Sequence, residues 1–453
     1  MNALFVICGT GVFSLLAEIF NLKKWVNVVS FLGLLTAIGL LIYDWGAISY
    51  HYHGMLLFDR LAMAFTGLIL VVSFFWFWMF TDFFKGEAHR TDKSALIFFA
   101  IAGAVMMVSF NNMAVLFLGI EILSISLYVL AGSNKENLFS TEAAFKYFLM
   151  GSFATGFLLF GMTLVYGATG SFNINTIAAL ISSHPVLPRY LFIGILLMMV
   201  GLAFKISAVP FHLWAPDVYH GSPTPIAAFM STVVKIAAFT AFVKIFSVCF
   251  LYFNFTLQVF EQALMVLTLV VANVTAVYQN NVKRMLAYSS VGQVGYLLLA
   301  FSSDNVNSGG IIFYYLTAYA IASIMAFTVV HIIETKKGSA SLENFGGLLK
   351  NNPLLAVAMT VALLSLAGIP PLAGFFAKYL VFTLSISKGF VALTVVAVVT
   401  SLIGVYYYFK PIVAMAQSTG EVIAISTSQK ILLTVLILLN LLAGIFPDFF
   451  MVL

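Results

Sequence analysis

Charged side chains are scarce in this chain of 453 residues, where 21 Lys and Arg and 16 Asp and Glu make up 8% of the composition. A soluble globular protein carries about 25% charged residues, so this chain has about a third of the usual share. So few charges cannot cover the surface of a water-soluble protein of this size. The shortage excludes a soluble enzyme, a nucleic-acid-binding protein and a disordered chain, whereas 62% apolar residues favour a helical membrane protein.

Cysteine is nearly absent, and the motifs of nucleotide and redox chemistry are missing as well. Cys8 and Cys249 both lie in apolar runs. They offer no disulfide framework and no Cys-x-x-Cys, and two thiols cannot ligate an iron–sulfur cluster. The chain has no Gly-x-x-x-x-Gly-Lys-Ser/Thr, no dinucleotide fingerprint and no histidine pair placed to hold a haem. Energy for any transport must therefore come from an ion gradient or from a partner protein.

Long apolar runs dominate the sequence instead. A helix needs about 20 apolar residues to cross a bilayer core, and we predict about fourteen such spans with short connections. Numbered 1 to 14, they lie near residues 2–21, 26–46, 56–83, 94–109, 113–132, 141–168, 188–213, 224–250, 257–278, 283–303, 309–333, 353–385, 387–412 and 430–449. Helices satisfy their own backbone at membrane depth. We predict an all-α, polytopic membrane protein with a single membrane domain over 1–453.

Basic residues are distributed unequally between the two ends of the predicted spans. The connections after even-numbered spans contain three, namely Arg60, Arg189 and Lys388. The connections after odd-numbered spans contain thirteen: Lys23, Lys24, Lys85, Arg90, Lys93, Lys135, Lys283, Arg284, Lys336, Lys337, Lys350, Lys410 and Lys430. Basic connections remain on the cytoplasmic side. We therefore expect the odd-numbered connections in the cytoplasm and both termini on the opposite side.

A weak internal repeat divides the spans into two groups of five. An Asn-Asn pair precedes span 5 and another precedes span 10, and prolines interrupt spans 7 and 12 at Pro210 and at Pro370. We predict two five-helix repeats, residues 94–250 with spans 4–8 and residues 257–412 with spans 9–13. Because five is odd, the two copies would be inverted in the membrane. Inverted repeats with one broken helix in each are typical of secondary transporters.

Several ionisable residues fall inside the predicted spans. They are Glu121, Lys146, Lys205, Lys235, Lys244 and Lys378. A charge at membrane depth costs several kcal/mol, so it usually faces a partner or a hydrated cavity. Glu121 and Lys235 lie about ten residues into their spans, which is about 15 Å deep and near the midplane. A buried lysine beside a carboxylate can gain or lose a proton when a neighbouring charge moves, so such a row predicts a proton path.

Two of these lysines lie next to the helix breaks. Lys205 precedes Pro210 by five residues, and proline removes a backbone hydrogen bond and loosens a helix. His212 would lie two turns beyond Lys205 on the same face if the helix continued, and imidazole titrates most readily near neutral pH. Lys378 follows the Gly368–Gly374 break, and such interruptions at membrane depth are tolerated where they line a cavity. Both breaks are therefore candidate hydrated sites.

Three residues stay open to a structural interpretation. Lys146 lies near the start of span 6, where an anchor at the basic end is as reasonable as a role in transport. Lys244 lies nearer the end of span 8, so we interpret it as structural, with an ammonium that can reach the surface. His331, near the end of span 11, is either an anchor or a relay.

The loop after span 7 carries a family resemblance. Residues 211–225 read Phe-His-Leu-Trp-Ala-Pro-Asp-Val-Tyr-His-Gly-Ser-Pro-Thr-Pro. This segment closely resembles the corresponding loop of the antiporter-like subunits of respiratory complex I, and its wording is similar to the subunit N form. Residues 282–290, Val-Lys-Arg-Met-Leu-Ala-Tyr-Ser-Ser, resemble the start of the tenth helix in the wider family. The resemblance extends over essentially the whole chain and implies proton translocation within an NADH–quinone oxidoreductase.

The resemblance also implies roles for individual residues. The family's proton path uses a Glu on helix 5, a Lys on each of helices 6, 7 and 8, a His on helix 7, and in subunit N a Lys on the broken helix 12. The matching residues here are Glu121, Lys146, Lys205, Lys235, His212 and Lys378. We expect Glu121 to control the charge of Lys205, protons to pass through Lys235, and Lys378 to release them.

Cofactors and partners are implied by the resemblance alone. This chain would be a subunit of an H+-translocating NADH:quinone reductase without redox centres of its own. FMN, the iron–sulfur clusters and the quinone site would belong to other subunits. Expected partners are the neighbouring subunits K and M, the lateral helix of subunit L, through them the peripheral arm, and the lipid bilayer, but no nucleic acid. The expected location is the bacterial inner (plasma) membrane.

Two other functions stay open. One is a subunit of a multi-subunit sodium/proton antiporter, which shares the fold but lacks the redox partner. The sequence of residues 214–225 argues against an antiporter subunit, because related antiporter chains carry this loop in another form. The other is a stand-alone secondary transporter for a small solute, for which the sequence shows no binding motif. A purely structural scaffold is disfavoured by the charges near the midplane.

Overall fold

The computed structural model describes residues 2–45, 50–81, 90–183, 188–304, 306, 308–417 and 422–451. Lys85, one of the basic residues in the predicted odd-numbered connections, lies outside them. The N-terminal helices are α1 (Asn2–Ile19), α2 (Val26–Asp44), α3 (Arg60–Met79), α4 (Arg90–Ser109), α5 (Met113–Ala131), α6 (Leu138–Thr169), α7 (Ile174–Ser183), α8 (Arg189–Ile206), α9 (Trp214–Gly221), α10 (Thr224–Phe229) and α11 (Lys235–Lys244). π-helical segments Met230–Val234 and Ile245–Cys249 make Thr224–Cys249 one continuous helix.

The remaining helices lie between Asn254 and Phe450. They are α12 (Asn254–Val277), α13 (Val282–Ser303), α14 (Gly309–Lys337), α15 (Leu348–Asn351), α16 (Pro353–Ala367), α17 (Ala373–Ser387), α18 (Val391–Ala416), α19 (Thr427–Ile445) and α20 (Pro447–Phe450). Short 3-10 helices occur at Lys23–Trp25, Leu251–Phe253 and Leu342–Phe345.

The predicted membrane architecture is confirmed. Within the described residues, 13 helices are long and apolar enough to cross a membrane. The one predicted span missing from these 13 is span 12, which consists of the two shorter helices α16 and α17. Span 7 is broken as well, because α8 ends at Ile206 and α9 begins at Trp214. The fold is therefore an all-α membrane bundle with breaks in the two predicted positions.

One predicted span starts too early. Residues 56–58, assigned to span 3 from their apolar character, form strand β2 (Leu56–Phe58), which pairs antiparallel with β1 (Tyr50–Tyr52). The helix begins only at Arg60, because the Asp59 side chain accepts a hydrogen bond from Ala62 N at 2.7 Å and caps the first turn. An apolar run shows burial but not where the helical conformation starts.

The centre of the bundle is formed by three helices. The Thr224–Cys249 helix is wholly buried in its most apolar window, and α13 and α14 are nearly so. By contrast α1, α2, α12, α18 and α19 bury only about a third of theirs, and large apolar side chains cover their outer faces. This exposure is what a membrane-facing ring requires, since lipid is the solvent there. Lys235 therefore lies on the innermost helix of the protein.

The connections form two faces. Lys93, Lys135, Ser222, Lys283 and Ala340, from connections after odd-numbered spans and from the end of the broken helix, line one cavity. We call this side the basic face. The other connections meet on the opposite face, for example where Lys388 Nζ pairs with Asp304 Oδ2 at 2.9 Å. The grouping follows the odd and even numbering of the spans, whereas the cytoplasmic assignment of the basic face stays a prediction.

Two matched bridges occur on the two faces. Asn112 caps α5 and pairs with Asn173 on the opposite face. Asn281 caps α13 and pairs with Ser341 on the basic face. A pair of this kind on each face is compatible with inverted copies. The division into two repeats stays a prediction.

Candidate functional site

Glu121 and Lys205 come together across α5 and α8, with Ser124 between them. Lys205 is almost fully buried, and its Nζ donates a hydrogen bond to Ser124 Oγ at 2.7 Å. Glu121 is one turn before Ser124 on the same face of α5, and its charge acts on Lys205. Glu121 Oε1 is buried and accepts no hydrogen bond. Ser124 therefore makes the direct contact with Lys205, and Glu121 lies one turn from that contact along α5.

The break in span 7, between α8 and α9, creates a binding site for Lys235. The last carbonyls of a helix lack partners within it, and the negative end of its dipole favours a cation. Ile206 O, at the end of α8, accepts a hydrogen bond from Lys235 Nζ at 3.3 Å. Trp214 Nε1 donates a hydrogen bond to the nearby Phe204 O at 3.1 Å. A helix carbonyl thus binds the ammonium predicted to be central, whereas Lys205 turns to Ser124.

Lys235 also contacts the second half of the bundle. Its Nζ donates to Ser290 O of α13 at 3.0 Å. Lys235 directly follows the π-helical segment Met230–Val234, and π segments often mark functional sites because they interrupt the regular backbone hydrogen bonds. Lys235 is 2% exposed, so its ammonium is shielded from bulk water. Lys235 links the broken helix of the first half to α13.

A hydroxyl cluster extends from Ser290 across three helices. Tyr319 OH of α14 donates to Ser290 Oγ at 2.8 Å. Ser289 Oγ and Tyr408 OH, from α13 and α18, are 2.5 Å apart. Gln293, one turn after Ser289, donates from Nε2 to Tyr408 OH at 3.1 Å. Hydroxyl groups both donate and accept hydrogen bonds, so each of these side chains can exchange a proton with its hydrogen-bond partner.

Gln293 joins this cluster to the second helix break. Its Nε2 donates to Leu366 O of α16 at 3.2 Å, and Tyr315 OH donates to its Oε1. A cavity of about 10 Å³ lies among Gln293, Tyr315 and Lys378, just large enough for one water. We call Ser289, Ser290, Gln293, Tyr315, Tyr319 and Tyr408 the polar bridge. It spans the distance between the two broken helices.

Sequence analysis did not identify the polar bridge, although one signal was present. The most apolar window of α13 has a mean hydropathy of 1.3, the lowest of the spans, yet the helix is 94% buried there. A buried span with polar residues must satisfy them internally. The partners, however, lie on α14, α16 and α18, and no local pattern identifies them.

Lys378 lies at the second break as predicted. Its Nζ donates to Ala367 O, the last residue of α16, and to Ser401 Oγ, each at 2.8 Å. The Tyr296 ring centroid is 4.7 Å from the ammonium, within the range of a cation–π contact. Each broken helix thus presents a C-terminal carbonyl to a buried lysine, and the polar bridge extends between the two sites.

Lys146 is an ion-paired residue near the basic face. Its Nζ contacts Glu142 at 2.7 Å and Asp217 at 2.9 Å, and Arg284 contacts Asp217 at 2.9 Å. Burial alone would raise the pKa of the Asp217 carboxyl, but the hydrogen bond from Lys146 and the charge of Arg284 outweigh it and hold that pKa below its usual value. The ionised Asp217 therefore connects α6, α9 and α13. Lys146 is 40% exposed, unlike the midplane lysines.

His212 lies inside the break rather than on a continuous helix. The helix ends at Ile206, where Ser207 adopts a positive φ of 63°, so the two-turn spacing from Lys205 does not apply. His212 is 6% exposed, and its Nδ1 is buried without a hydrogen-bond partner in the described part of the chain. The imidazole therefore lies in the non-helical segment of span 7, between α8 and α9.

Three other ionisable residues lie within the predicted spans, outside the two helix breaks. Lys244 is 4% exposed and donates to Val108 O at 3.3 Å, so the interpretation that its ammonium reaches the surface is wrong: α4 and the Phe110 ring cover it. His331 lines the basic-face cavity and packs against Phe80. Glu261 of α12 is fully buried, and sequence analysis missed it although it lies in predicted span 9.

Metal chemistry finds no support in the described residues, where no three His, Cys, Asp or Glu side chains come together to hold an ion. Buried lysines and hydroxyl groups are side chains that exchange protons, and the helix-end carbonyls accept hydrogen bonds from the lysines.

Known proteins resemble this chain in sequence and in fold. Residues 110–404 match the family described as NADH:quinone oxidoreductase/Mrp antiporter, transmembrane. NADH-quinone oxidoreductase subunit N from Cytophaga hutchinsonii is 46% identical, and the match covers 99% of this chain and 98% of that protein. The chain belongs to the subunit N family of NADH-quinone oxidoreductase. The resemblance of the helix 7 loop is thereby confirmed.

Solved structures agree with the subunit N fold. A chain of respiratory complex I from Thermus thermophilus superposes with a TM-score of 0.84 at 30% identity, over 99% of this chain and 98% of that one. A chain of the Mrp complex from Dietzia sp. DQ12-45-1b gives a TM-score of 0.88 at 20% identity, over 99% and 95%. The second match shows a common fold only. Sequence identity, not fold, separates subunit N from its antiporter relatives.

Gly368 offers a test of how Lys378 is positioned. Gly368 has φ of 87°, and a Cβ there would lie 2.8 Å from Lys378 Cδ. Gly389 has the same φ with open space around it. Both Gly→Ala changes should lower the unfolding free energy by about 1–3 kcal/mol, because L-residues disfavour this conformation. Only Gly368→Ala should also lower proton pumping, because it displaces the Lys378 side chain. Equal pumping in the two variants, measured in liposomes, would contradict this positioning role.

Proposed function

We propose that this chain translocates protons in the membrane arm of an NADH–quinone oxidoreductase. The observation that carries the proposal is the buried polar connection from Lys235, at the first helix break, through the polar bridge to Lys378 at the second. Lys235 Nζ donates to Ser290 O at one end, and Gln293 Nε2 donates to Leu366 O at the other. A structural bundle has no use for such a chain, because buried polar groups cost free energy unless every one is satisfied.

The proton moves in a defined order. Lys205, beside Ser124 and the charge of Glu121, controls by its own charge when Lys235 takes up a proton. The polar bridge carries it to Lys378, which releases it toward the opposite face. His212 flanks this path in the first break, and Lys146 flanks it at the basic-face end of helix 6. The basic face is cytoplasmic in this scheme, since basic connections stay on that side.

Electrostatic coupling is strong enough to drive these steps. Two unit charges about 8 Å apart interact by about 2 kcal/mol at an effective dielectric of about 20. Moving one charge across a potential of 100 mV takes about 2.3 kcal/mol. A change of one charge at that distance from Lys235 is therefore comparable in energy with the membrane potential. No change in helix packing is needed to transmit the signal.

The energy source lies outside this chain. In the proposed complex FMN, the iron–sulfur clusters and the quinone site belong to other subunits, and this subunit holds no redox centre. Its neighbours are subunits K and M and the lateral helix of subunit L, and the complex resides in the bacterial inner membrane. The 46% identity to a subunit N over the full length supports this placement over a sodium/proton antiporter.

A pull-down of the tagged chain in a gentle detergent tests the assignment. We expect FMN, iron–sulfur absorbance and NADH–ferricyanide reductase activity to co-purify. Iron–sulfur clusters without FMN would show a related complex with another electron donor. If no redox cofactor co-purifies and the chain supports sodium-dependent proton flux, the assignment is wrong and the antiporter function replaces it.

A further inference from the structure

The basic face contains a cavity that the proton path described above does not use. It has a volume of about 690 Å³ and lies between the α5–α6 connection, the start of the Thr224–Cys249 helix and the ends of α13 and α14. Lysines, histidines and glutamates from several helices line it. A polar cavity of this size at the surface fills with water.

Glu334 connects this cavity to the protein interior. Its side chain is 32% exposed, while Lys283 beneath it is 3% exposed and donates to Glu334 Oε1 at 3.2 Å. Lys283 Nζ also donates to Ser222 O at 2.7 Å, which fixes the lysine in place. Thr224 Oγ1 donates to Glu334 Oε2. One carboxylate thus contacts water on one side and a buried hydroxyl on the other.

Thr224 is the first residue of the helix that carries Lys235. Ser231 and Lys235 follow it by seven and eleven residues along the same continuous helix. Thr224 and Ser231 are both buried, at 2% and 0% exposure, and Ser231 lies within the π-helical segment Met230–Val234, which ends directly before Lys235. Hydroxyl groups therefore occur at intervals from Glu334 toward Lys235.

We propose that this cavity is the proton-uptake site of the basic face and that Glu334 is its collecting group. This inference rests on the proposed function. A proton from cavity water binds the Glu334 carboxylate, which releases it to the hydroxyl of Thr224. Each hydroxyl accepts one proton and gives up another, and neutral Lys235 accepts the last. Lys283 holds the carboxylate in position and restores its charge balance after the proton leaves.

The competing group in the same wall is His220. Burial and the charges of Lys283 and Arg284 lower the pKa of its imidazole. A lowered pKa makes His220 a poorer acceptor at neutral pH than an imidazole in water. Glu334, by contrast, contacts the helix that carries Lys235 directly through Thr224. Geometry therefore favours the carboxylate.

A charge-neutral substitution tests the role of Glu334. Glu334→Gln keeps the shape and one acceptor but cannot carry a proton. Glu343→Gln is the matched control, because Glu343 is an exposed carboxyl on the same face and does not line the cavity. In the whole complex in liposomes, we expect Glu334→Gln to lower pumping about fivefold or more and Glu343→Gln to leave it unchanged. Normal pumping in Glu334→Gln would overturn the proposal.

Blocking the cavity gives a second measurement that does not depend on Glu334. Thr335 is exposed and lines the cavity, whereas Thr427 is exposed outside it. Each is replaced by cysteine in a chain with Cys8→Ser and Cys249→Ala. A membrane-impermeant cationic thiosulfonate, added from the basic face, should inhibit pumping in Thr335→Cys only. Equal sensitivity of the two variants, or inhibition only from the opposite face, would overturn the uptake site.

The two proposals fail in different ways. If Lys235→Met stops pumping but Glu334→Gln and the cysteine block do not, the path stands and protons enter elsewhere. If Lys235→Met also pumps normally, the proposed function itself is wrong. NADH–ferricyanide activity, measured in every sample, confirms that the complex is assembled.

Discussion

Replacing Lys235 with methionine is expected to abolish proton translocation while the complex still assembles. Methionine fills a similar volume but carries no proton. The change leaves Ile206 O, at the end of α8, without the ammonium that donates to it, and an unsatisfied buried acceptor costs about 1–3 kcal/mol. A wholly buried helix in a large bundle tolerates such a loss. Pumping should fall about tenfold or more, because proton-transfer groups contribute at least that much.

The control for Lys235 separates a missing proton carrier from a missing charge. Lys235→Arg keeps the positive charge, but a guanidinium does not release its proton in proteins. If the site needs only a cation, the arginine variant will pump. If the site carries protons, both variants will be inactive. Lys430→Met, at an exposed position on α19, should leave pumping unchanged. Full activity of Lys235→Arg would contradict the proton-carrier role.

The membrane spans follow from hydropathy, because lipid demands about 20 apolar residues from every helix. The two helix breaks follow from proline and glycine, since Pro210 and Pro370 cannot continue a regular helix. Both features are local, so a single sequence contains enough information for them. The start of α3 is a different case. Its position depends on the cap at Asp59 and on a hairpin, which an apolar run conceals.

The buried ionisable residues were found for a physical reason, but their partners were not. A lysine in a membrane span stands out because its burial is costly. The hydrogen bonds of Lys205 to Ser124 and of Lys378 to Ser401 depend on which helices pack together. The same holds for Gln293, whose partners come from α14, α16 and α18. Tertiary contacts of this kind leave no periodic signal in the chain.

A neighbouring helix and a helix end determine the geometry at two of these residues. Lys244 lies near the end of its helix, yet α4 covers it and its ammonium turns to Val108 O. His212 has the correct spacing from Lys205 for a shared face, but the helix ends at Ile206 before that face is reached. Depth along a helix and spacing within it are reliable only where the helix continues and stays uncovered.

Lys378→Met should stop pumping at the last step while leaving the first half of the path intact. The ammonium donates to Ala367 O and to Ser401 Oγ, and the side chain lines the small cavity beside Gln293. Methionine cannot accept the proton that arrives through Gln293, so release to the opposite face is expected to fall about tenfold or more. Coupled NADH–quinone activity should fall in parallel, and NADH–ferricyanide activity should not.

Lys388 gives a control on the same helix. It caps the end of α17, 46% exposed, and pairs with Asp304 on the opposite face. Lys388 is exposed and does not contact the polar bridge, so Lys388→Met should assemble and pump normally. If Lys378→Met and Lys388→Met behave alike, Lys378 has no special place in the path. If only Lys378→Met is inactive, the second helix break is needed for the release step, because the two lysines differ mainly in burial and in access to the polar bridge.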